Sequence, residues 1–298
     1  GPIRPSTLNG YRRYADLYIK PYLGDKQISK ITPADVQKMY EVLKARGRVK
    51  EHAQYGHQLS GSMVHSIHTM FHEAMKAAKE SHIIAKNPTE NIPVPKANPK
   101  PKQILNDDQL EQFMEAIKHD AVWHDFFYTE LTTGLRRGEL LALLWTDLDV
   151  ENMTISVSKQ VNRINGELVV SQPKTPNSIR KLAIPQRAVE LLVEEHSKHP
   201  HSPHLFVSPK TGTMFDPDSF RHTHEKILKA IGAEHIRFHD LRHTFATLSL
   251  KYGVDVKTLS GALGHYDAGF TLSTYTHATE GMKRSAADTI GSVISQTM

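Results

Sequence analysis

The chain has 298 residues, 39% hydrophobic and 23% charged, with a net charge of +5, and a chain of that length and balance buries a core in one large domain or two smaller ones. It has no cysteine, which excludes disulfides, thiolate metal sites and cysteine nucleophiles. No apolar run approaches the ~18 residues of a membrane-spanning helix, no charged-then-apolar leader precedes the first polar segment, and the cytoplasm is the expected compartment.

The charge is unevenly placed. Residues 1–102 hold 17 Lys and Arg against 8 Asp and Glu, a net +9, whereas residues 103–298 hold 20 against 24, a net −4. Cations near a phosphate backbone release condensed counterions and gain affinity without base-specific contacts. The candidates in the basic third are Arg12, Arg13, Lys38, Lys44, Arg46 and Arg48; an ordinary solvated face accounts for any one of them equally well.

In chain order, Tyr11, Tyr14, Leu17 and Tyr18 fall at helical spacing, and Thr32-Pro-Ala-Asp35 predicts a capped helix start before Val36, Met39, Tyr40 and Leu43. A third helix is expected from about Ser62 to Lys79, and a short fourth segment around Ile83 and Ile84 stops at Pro88. Residues 92–103 carry four prolines and no apolar periodicity, as expected of an extended linker. Beyond it Asn106-Asp-Asp-Gln109 starts another helix, and Glu139 to Leu144 is apolar enough to be a buried one. Thr154 to Ser158 alternates like a strand, Asn165-Gly166 predicts a two-residue hairpin turn with Leu168 resuming the strand, and Arg180 to Ile184 is a further strand. Helices are expected over Ala188–His196, after a capped start at Asp216, over Leu241–Tyr252 and over Val256–Leu263. The fold class is thus mainly α with one small antiparallel sheet, an α+β arrangement.

Four separated segments place a cation, imidazole or hydroxyl beside turn-forming residues: Thr133-Gly-Leu-Arg-Arg-Gly-Glu-Leu140, Pro173-Lys-Thr-Pro-Asn-Ser-Ile-Arg180, Phe238-His-Asp-Leu-Arg-His-Thr244, and Leu263-Gly-His-Tyr266 leading to Thr274-Tyr-Thr-His277. Singly, each reads more simply as a solvated cation or a half-buried ring. Together and in this order they resemble the catalytic domain of the tyrosine recombinases, the integrases of phages and conjugative transposons. The resemblance covers about residues 104–280, and Tyr11 to Gly24, Ile31-Thr-Pro and Asn87-Pro88 are similar to the same family's core-binding domain. It implies a helical core-binding domain over 3–91, the linker over 92–103, and a catalytic domain with a C-terminal tail helix over 104–298. No counterpart of the arm-binding domain that many integrases carry ahead of these two is found. Carried over by position, the resemblance implies Arg136, Lys174, His239, Arg242, His265 and the nucleophile Tyr275; the Gly-Leu-Arg pattern selects Arg136 over Arg137.

The chemistry of these residue types agrees with that transfer. A phosphodiester resists attack because charge crowds onto its oxygens in the transition state, so donors aimed at them are the first requirement. Arg136 and Arg242 supply planar forks for the non-bridging oxygens. A tyrosine hydroxyl with a pKa near ~10 must lose its proton as it attacks, and His239 is the candidate base. Lys174, in a hairpin, is the candidate acid for the leaving 5′ oxygen. His265 would hold a phosphate oxygen, and Glu139, one turn beyond Arg136, is suited to pair with an arginine. The expected product is a 3′-phosphotyrosine, which stores the bond energy, so resealing needs no ATP.

Other readings stay open. The chain has 19 histidines but no His-Glu-x-x-His and no convincing acidic ligand set, so neither a metal nor another cofactor is expected. Val254 to Gly264 resembles a helix-turn-helix superficially, and a type IB topoisomerase would use the same chemistry on one duplex. The resemblance implies double-stranded DNA recombination sites as partners, a tetramer on two sites joined by the tail Ser285–Met298, and an accessory DNA-bending or excision factor; packing of the tail on its own domain is the simpler alternative. No membrane partner is expected.

Overall fold

The structure, a computed structural model of the chain, describes residues 3–53, 55–96, 103–164, 166–173, 176–265, 269, 271–272, 287–288, 290, 292 and 295. The chain divides into two compact units, Gly1–Pro101 and Lys102–Met298.

In the first unit, α1 (Pro5–Tyr14) runs through a π-helical turn, Ala15–Ile19, into α2 (Lys20–Leu23). The wider turn shifts the side-chain register, and Tyr18 and Leu23 are both buried. Helix α3 (Pro33–Arg46) begins at a reciprocal cap, with the Thr32 hydroxyl accepting from the Asp35 N–H at 3.3 Å and the Asp35 carboxylate accepting from the Thr32 N–H at 3.0 Å. Its contacts to Lys26 and then to Thr32 hold the Asp35 carboxyl down to about 2. Helix α4 (Gly61–Glu80), capped by Ser60, buries Val64, Ile67, Phe71 and Met75 against Val36, Met39, Tyr40 and Leu43 of α3.

No helix forms around Ile83 and Ile84. His82 takes a left-handed φ of 56°, and the Ile83 N–H returns to the Ala78 carbonyl at 2.9 Å, a closure that ends α4 and leaves too few residues before Pro88 for another helix. Asn87 closes a buried turn instead, accepting from the Thr89 N–H and hydroxyl at 2.9 and 2.7 Å. Ile92 and Val94 pack against this core, so the first unit keeps hold of part of the segment expected to be linker.

In the second unit, α5 (Asp107–Ile117) starts at the expected Asn106–Gln109 cap. It is followed by α6 (His124–Thr133) and the short α7 (Arg137–Leu141). A three-stranded antiparallel sheet has β2 (Thr154–Val157) between β1 (Leu148–Asp149) and β5 (Arg180–Ala183), with Ile155 opposite both Leu148 and Leu182. The hairpin of β3 (Gln160–Ile164) and β4 (Glu167–Ser171) is a second, separate sheet rather than part of one. Its strand β3 packs on α7, where a Cβ on Gly138 would stand 2.5 Å from the Val161 carbonyl oxygen. Gly166 in its turn has a φ of 89°, and Asn165 lies outside the described residues.

Helices α8 (Gln186–Lys198), α9 (Arg221–Ala230), α10 (Phe238–Lys251) and α11 (Val256–Leu263) complete the unit. The cap expected at Asp216 is not a helix cap: its carboxylate accepts from the Asp218 N–H at 2.9 Å in a turn, and α9 begins only at Arg221. An aromatic core of Phe113, Trp123, Phe126, Phe127, Phe206 and Phe220 holds the helices to the sheet, where each Phe→Ala change would cost roughly 3–5 kcal/mol. A smaller cluster of Ala246, Leu250, Leu259 and Leu263 joins α10 to α11. That junction sets the end of α11 beside the middle of α10.

Candidate functional site

Two helices of the second unit end in a left-handed glycine, α6 at Gly134 (φ 59°) and α11 at Gly264 (φ 62°). The last carbonyls of a helix have no partner within it and carry the negative end of its dipole. Here arginines supply the donors. Arg242, from α10, donates to the Gly134 and Leu263 carbonyls, both at 2.6 Å. Arg136 donates to the Gly264 carbonyl at 3.3 Å, and Arg180, the first residue of β5, donates to that of Ala262 at 2.7 Å. Gly134 cannot be replaced quietly, because a Cβ there would lie 2.4 Å from the Phe245 ring.

Glu139 ties the arginines together. It sits in the first turn of α7 with Arg136 as the N-terminal cap, so its carboxylate reaches back to the Arg136 N–H at 3.0 Å. Its other oxygen, Oε1, accepts from the Arg136 guanidinium at 2.7 Å, and Arg180 donates to the first, Oε2, at 3.0 Å. Glu139 is 1% exposed. Burial pushes its carboxyl up, but Arg180 and then Arg136 outweigh burial and hold it below the ordinary value. Glu130, on α6, has no such partner: it is fully buried, neither carboxyl oxygen has a hydrogen-bond partner among the described residues, and burial drives its pKa well above the ordinary value against the pull of Arg242.

Arg242 is 2% exposed, and burial, with Arg136 nearby, lowers its guanidinium to about 10. It also approaches Nε2 of His265 at 3.1 Å. A guanidinium can only donate, so Nε2 accepts and the proton of His265 is on Nδ1, which donates to the Thr271 hydroxyl at 2.7 Å. Burial first, then Arg242 and Arg136, lower His265 to about 4, so this ring is neutral. Of the five N–H groups of Arg242, three are spent on Gly134, Leu263 and His265. Three arginines thus face the Glu139 carboxylate, the Glu130 carboxyl whose pKa burial raises, and one neutral imidazole. A surplus of positive charge, part of it buried, suits an anion.

The structure therefore brings together Arg136, Glu139, Arg242 and His265, which the sequence singled out. His239 lies exposed in the first turn of α10, its ring 5.1 Å from that of the buried His243. Arg137 pairs with Asp218 at 3.1 Å. Lys174 and Tyr275 lie outside the described residues, as does most of the tail from Ser285 to Met298. In the first unit Arg12, Arg13, Lys38, Lys44 and Arg46 are exposed, and Arg48 is half-buried with its Nε donating to the Gln58 carbonyl at 3.1 Å. Among the described residues no group of three or more His, Cys, Asp or Glu side chains is placed to hold a metal ion, and no helix is long and apolar enough to cross a membrane.

The sequence profile of the phage integrase family matches residues 103–282, the stretch that contains this cluster, and that of the phage integrase N-terminal SAM-like domain matches residues 2–43. The chain belongs to the phage integrase family. This integrase-family chain is 27% identical to the tyrosine recombinase XerC-like protein of Caldanaerobacter subterraneus, over 96% of the chain and 78% of that protein. It is 26% identical to the ICEBs1 integrase of Bacillus subtilis, over 98% of the chain and 79% of that protein. Its fold is that of the Tn1549 transposon integrase, solved in complex with transposon right end DNA, with a TM-score of 0.80 over 98% of this chain and 95% of the other at 24% identity. A lambda integrase dimer bound to a core site matches with a TM-score of 0.66 over 92% and 72% at 17% identity.

Two members of the integrase cluster escape a reading of the sequence alone. Arg180 ends a segment already marked for Lys174, yet it opens a strand, where an arginine is ordinarily solvent-facing. Glu130 stands in an apolar helix with no motif around it. Their roles come from what the fold packs beside them.

Proposed function

We propose that this chain is a site-specific DNA recombinase that cleaves and rejoins strands through a 3′-phosphotyrosine at Tyr275, integrating or excising a mobile element. The observation that carries this is the surplus of positive charge around Glu139, buried at Arg180 and Arg242 and partly exposed at Arg136. A phosphodiester brings one negative charge into such a site and develops more in the transition state, where fixed donors count most.

In the reaction the Tyr275 oxygen attacks phosphorus while the bond to the 5′ oxygen breaks. His239 takes the phenol proton and Lys174 protonates the leaving oxygen. Arg136 and Arg242 hold the non-bridging oxygens; His265, neutral in the ligand-free site, orients Arg242 and meets the phosphate as Arg242 turns to it. Attack by a free 5′ hydroxyl reverses the step and needs neither metal nor ATP. DNA binding draws on the basic first unit, with Arg12, Arg13, Lys38, Lys44, Arg46 and Arg48 against the backbone. Exchange between two recombination sites requires a tetramer, for which the C-terminal tail is the candidate link, and direction is left to an accessory DNA-bending or excision factor.

A nicked suicide DNA tests the reading. The chain should form a protease-sensitive covalent adduct, and Tyr275→Phe should bind DNA but form none. Lys174→Ala should cleave slowly and recover on DNA whose bridging 5′ oxygen is sulfur, a leaving group that needs little protonation. Arg136→Ala and Arg242→Ala should not recover on that substrate. An adduct from Tyr275→Phe, or equal rescue of lysine and arginine variants, overturns the assignment.

A further inference from the structure

The Arg180 guanidinium bonds to three separate segments: Nε to the Ala262 carbonyl at 2.7 Å, Nη1 to the Ser178 carbonyl at 3.0 Å and Nη2 to Glu139 Oε2 at 3.0 Å. Its side chain is 7% exposed. Glu139 Oε2 also accepts from the Arg136 N–H, while Oε1 accepts from the Arg136 guanidinium. A carboxylate held by Arg136 alone could rotate into a two-pronged pair with that side chain and draw it away from solvent. Arg180 occupies the edge of the carboxylate that such a rotation would need.

The geometry points to Arg180 as a positioning residue of the cleavage site: it fixes the Glu139 carboxylate in the orientation that aims Arg136 at the phosphate, without touching DNA itself. This rests on the reading of Arg136 as a phosphate clamp. Among the described residues, the charged and titratable groups that face Glu139 are Arg136 ahead of α7, Arg180 on β5, Arg242 on α10 and Glu130 on α6. Arg180 is the strongest of those that keep Glu139 ionised against its burial. Without its fork the carboxyl takes up a proton at higher pH, and Arg136 loses both its charged partner and its direction.

Lysine in place of Arg180 keeps the charge but offers a point donor that cannot serve Ala262, Ser178 and Glu139 together. Single-turnover cleavage of the nicked DNA by the full chain is compared for wild type, Arg180→Lys and Arg180→Gln. Arg180→Lys should bind DNA as wild type does and cleave about 10²-fold more slowly, the scale of a misplaced clamp. Its rate should fall off on the acid side at a higher pH than wild type. A methylphosphonate at the cleaved position, which lacks one anionic oxygen, should narrow the gap to wild type; a bridging 5′ sulfur should not.

Wild-type rate and pH profile in Arg180→Lys, or rescue by sulfur, which would put Arg180 in the service of Lys174, overturns the proposal. So does a lowered melting temperature with an unchanged pH profile. Should Arg180→Lys fold poorly, Arg180→Gln in a Glu139→Gln background gives the second test: the two losses should overlap, and full additivity refutes the coupling. A wild-type chain that forms no adduct would instead defeat the recombinase reading itself.

Discussion

In the amino-terminal unit Arg12, Arg13, Lys38, Lys44 and Arg46 stand exposed along α1 and α3, whereas in the second unit Arg136, Arg180 and Arg242 are drawn into one cluster and end on helix carbonyls and on Glu139. Exposed cations act by number, are screened by salt and can replace one another. Buried ones act by direction, and each is held by partners that would be stranded without it. The first arrangement suits a long uniform polyanion; the second suits one phosphate in one geometry.

The comparison breaks most visibly at Glu139. Glu139→Ala strands Arg136 and Arg180 beside each other in a buried site, so it should cost about 3–5 kcal/mol and abolish cleavage. Chemical unfolding at neutral pH reads the first effect, and a loss below about 1 kcal/mol would mean the cluster is not interlocked. Arg242→Lys, next in size, should slow cleavage by about 10²–10³-fold with DNA affinity little changed, since a point charge cannot span Gly134, Leu263 and a phosphate oxygen.

In the first unit the effects are smaller and of another kind. Thr32→Ala removes the cap of α3 and should cost about 1 kcal/mol while cleavage of saturated DNA stays as it is. Arg12→Ala with Arg13→Ala should weaken DNA binding alike on every sequence and flatten the plot of log affinity against log salt by about one for each phosphate that is no longer neutralised. An unchanged slope would remove these two residues from the interface.

A pH dependence is also expected. His265 binds a proton at about 4 in the folded chain against an ordinary value of 6.5, so between those values the unfolded state holds more protons and stability rises with pH. Stability should therefore fall as pH drops from 6.5 towards about 4, and less steeply in His265→Gln. His224, buried and also lowered to about 4, contributes in the same direction and leaves part of the slope in that variant. Equal slopes in both proteins would mean that His265 is not held neutral by burial and Arg242.

What the sequence determined by itself is local in cause. The caps at Thr32 and Asn106, the apolar stripes of α3 and α4 and the pairing of β3 with β4 depend on neighbours within a few residues, and each forms as read. Where a local signal had two outcomes, the reading and the structure part: Asp216 caps a turn instead of a helix, and Ile84 is buried without a helix around it. Only the tertiary structure decided that Thr154–Val157 pairs with Arg180–Ala183 and leaves the hairpin to a second sheet. The same holds for the site. Arg242 lies 108 residues from the Gly134 carbonyl that it caps, and Arg180 lies 41 from Glu139; such partners are chosen by which helix ends the core packs together, and a buried arginine acquires its role from the orphaned carbonyls and the carboxylate that packing leaves beside it.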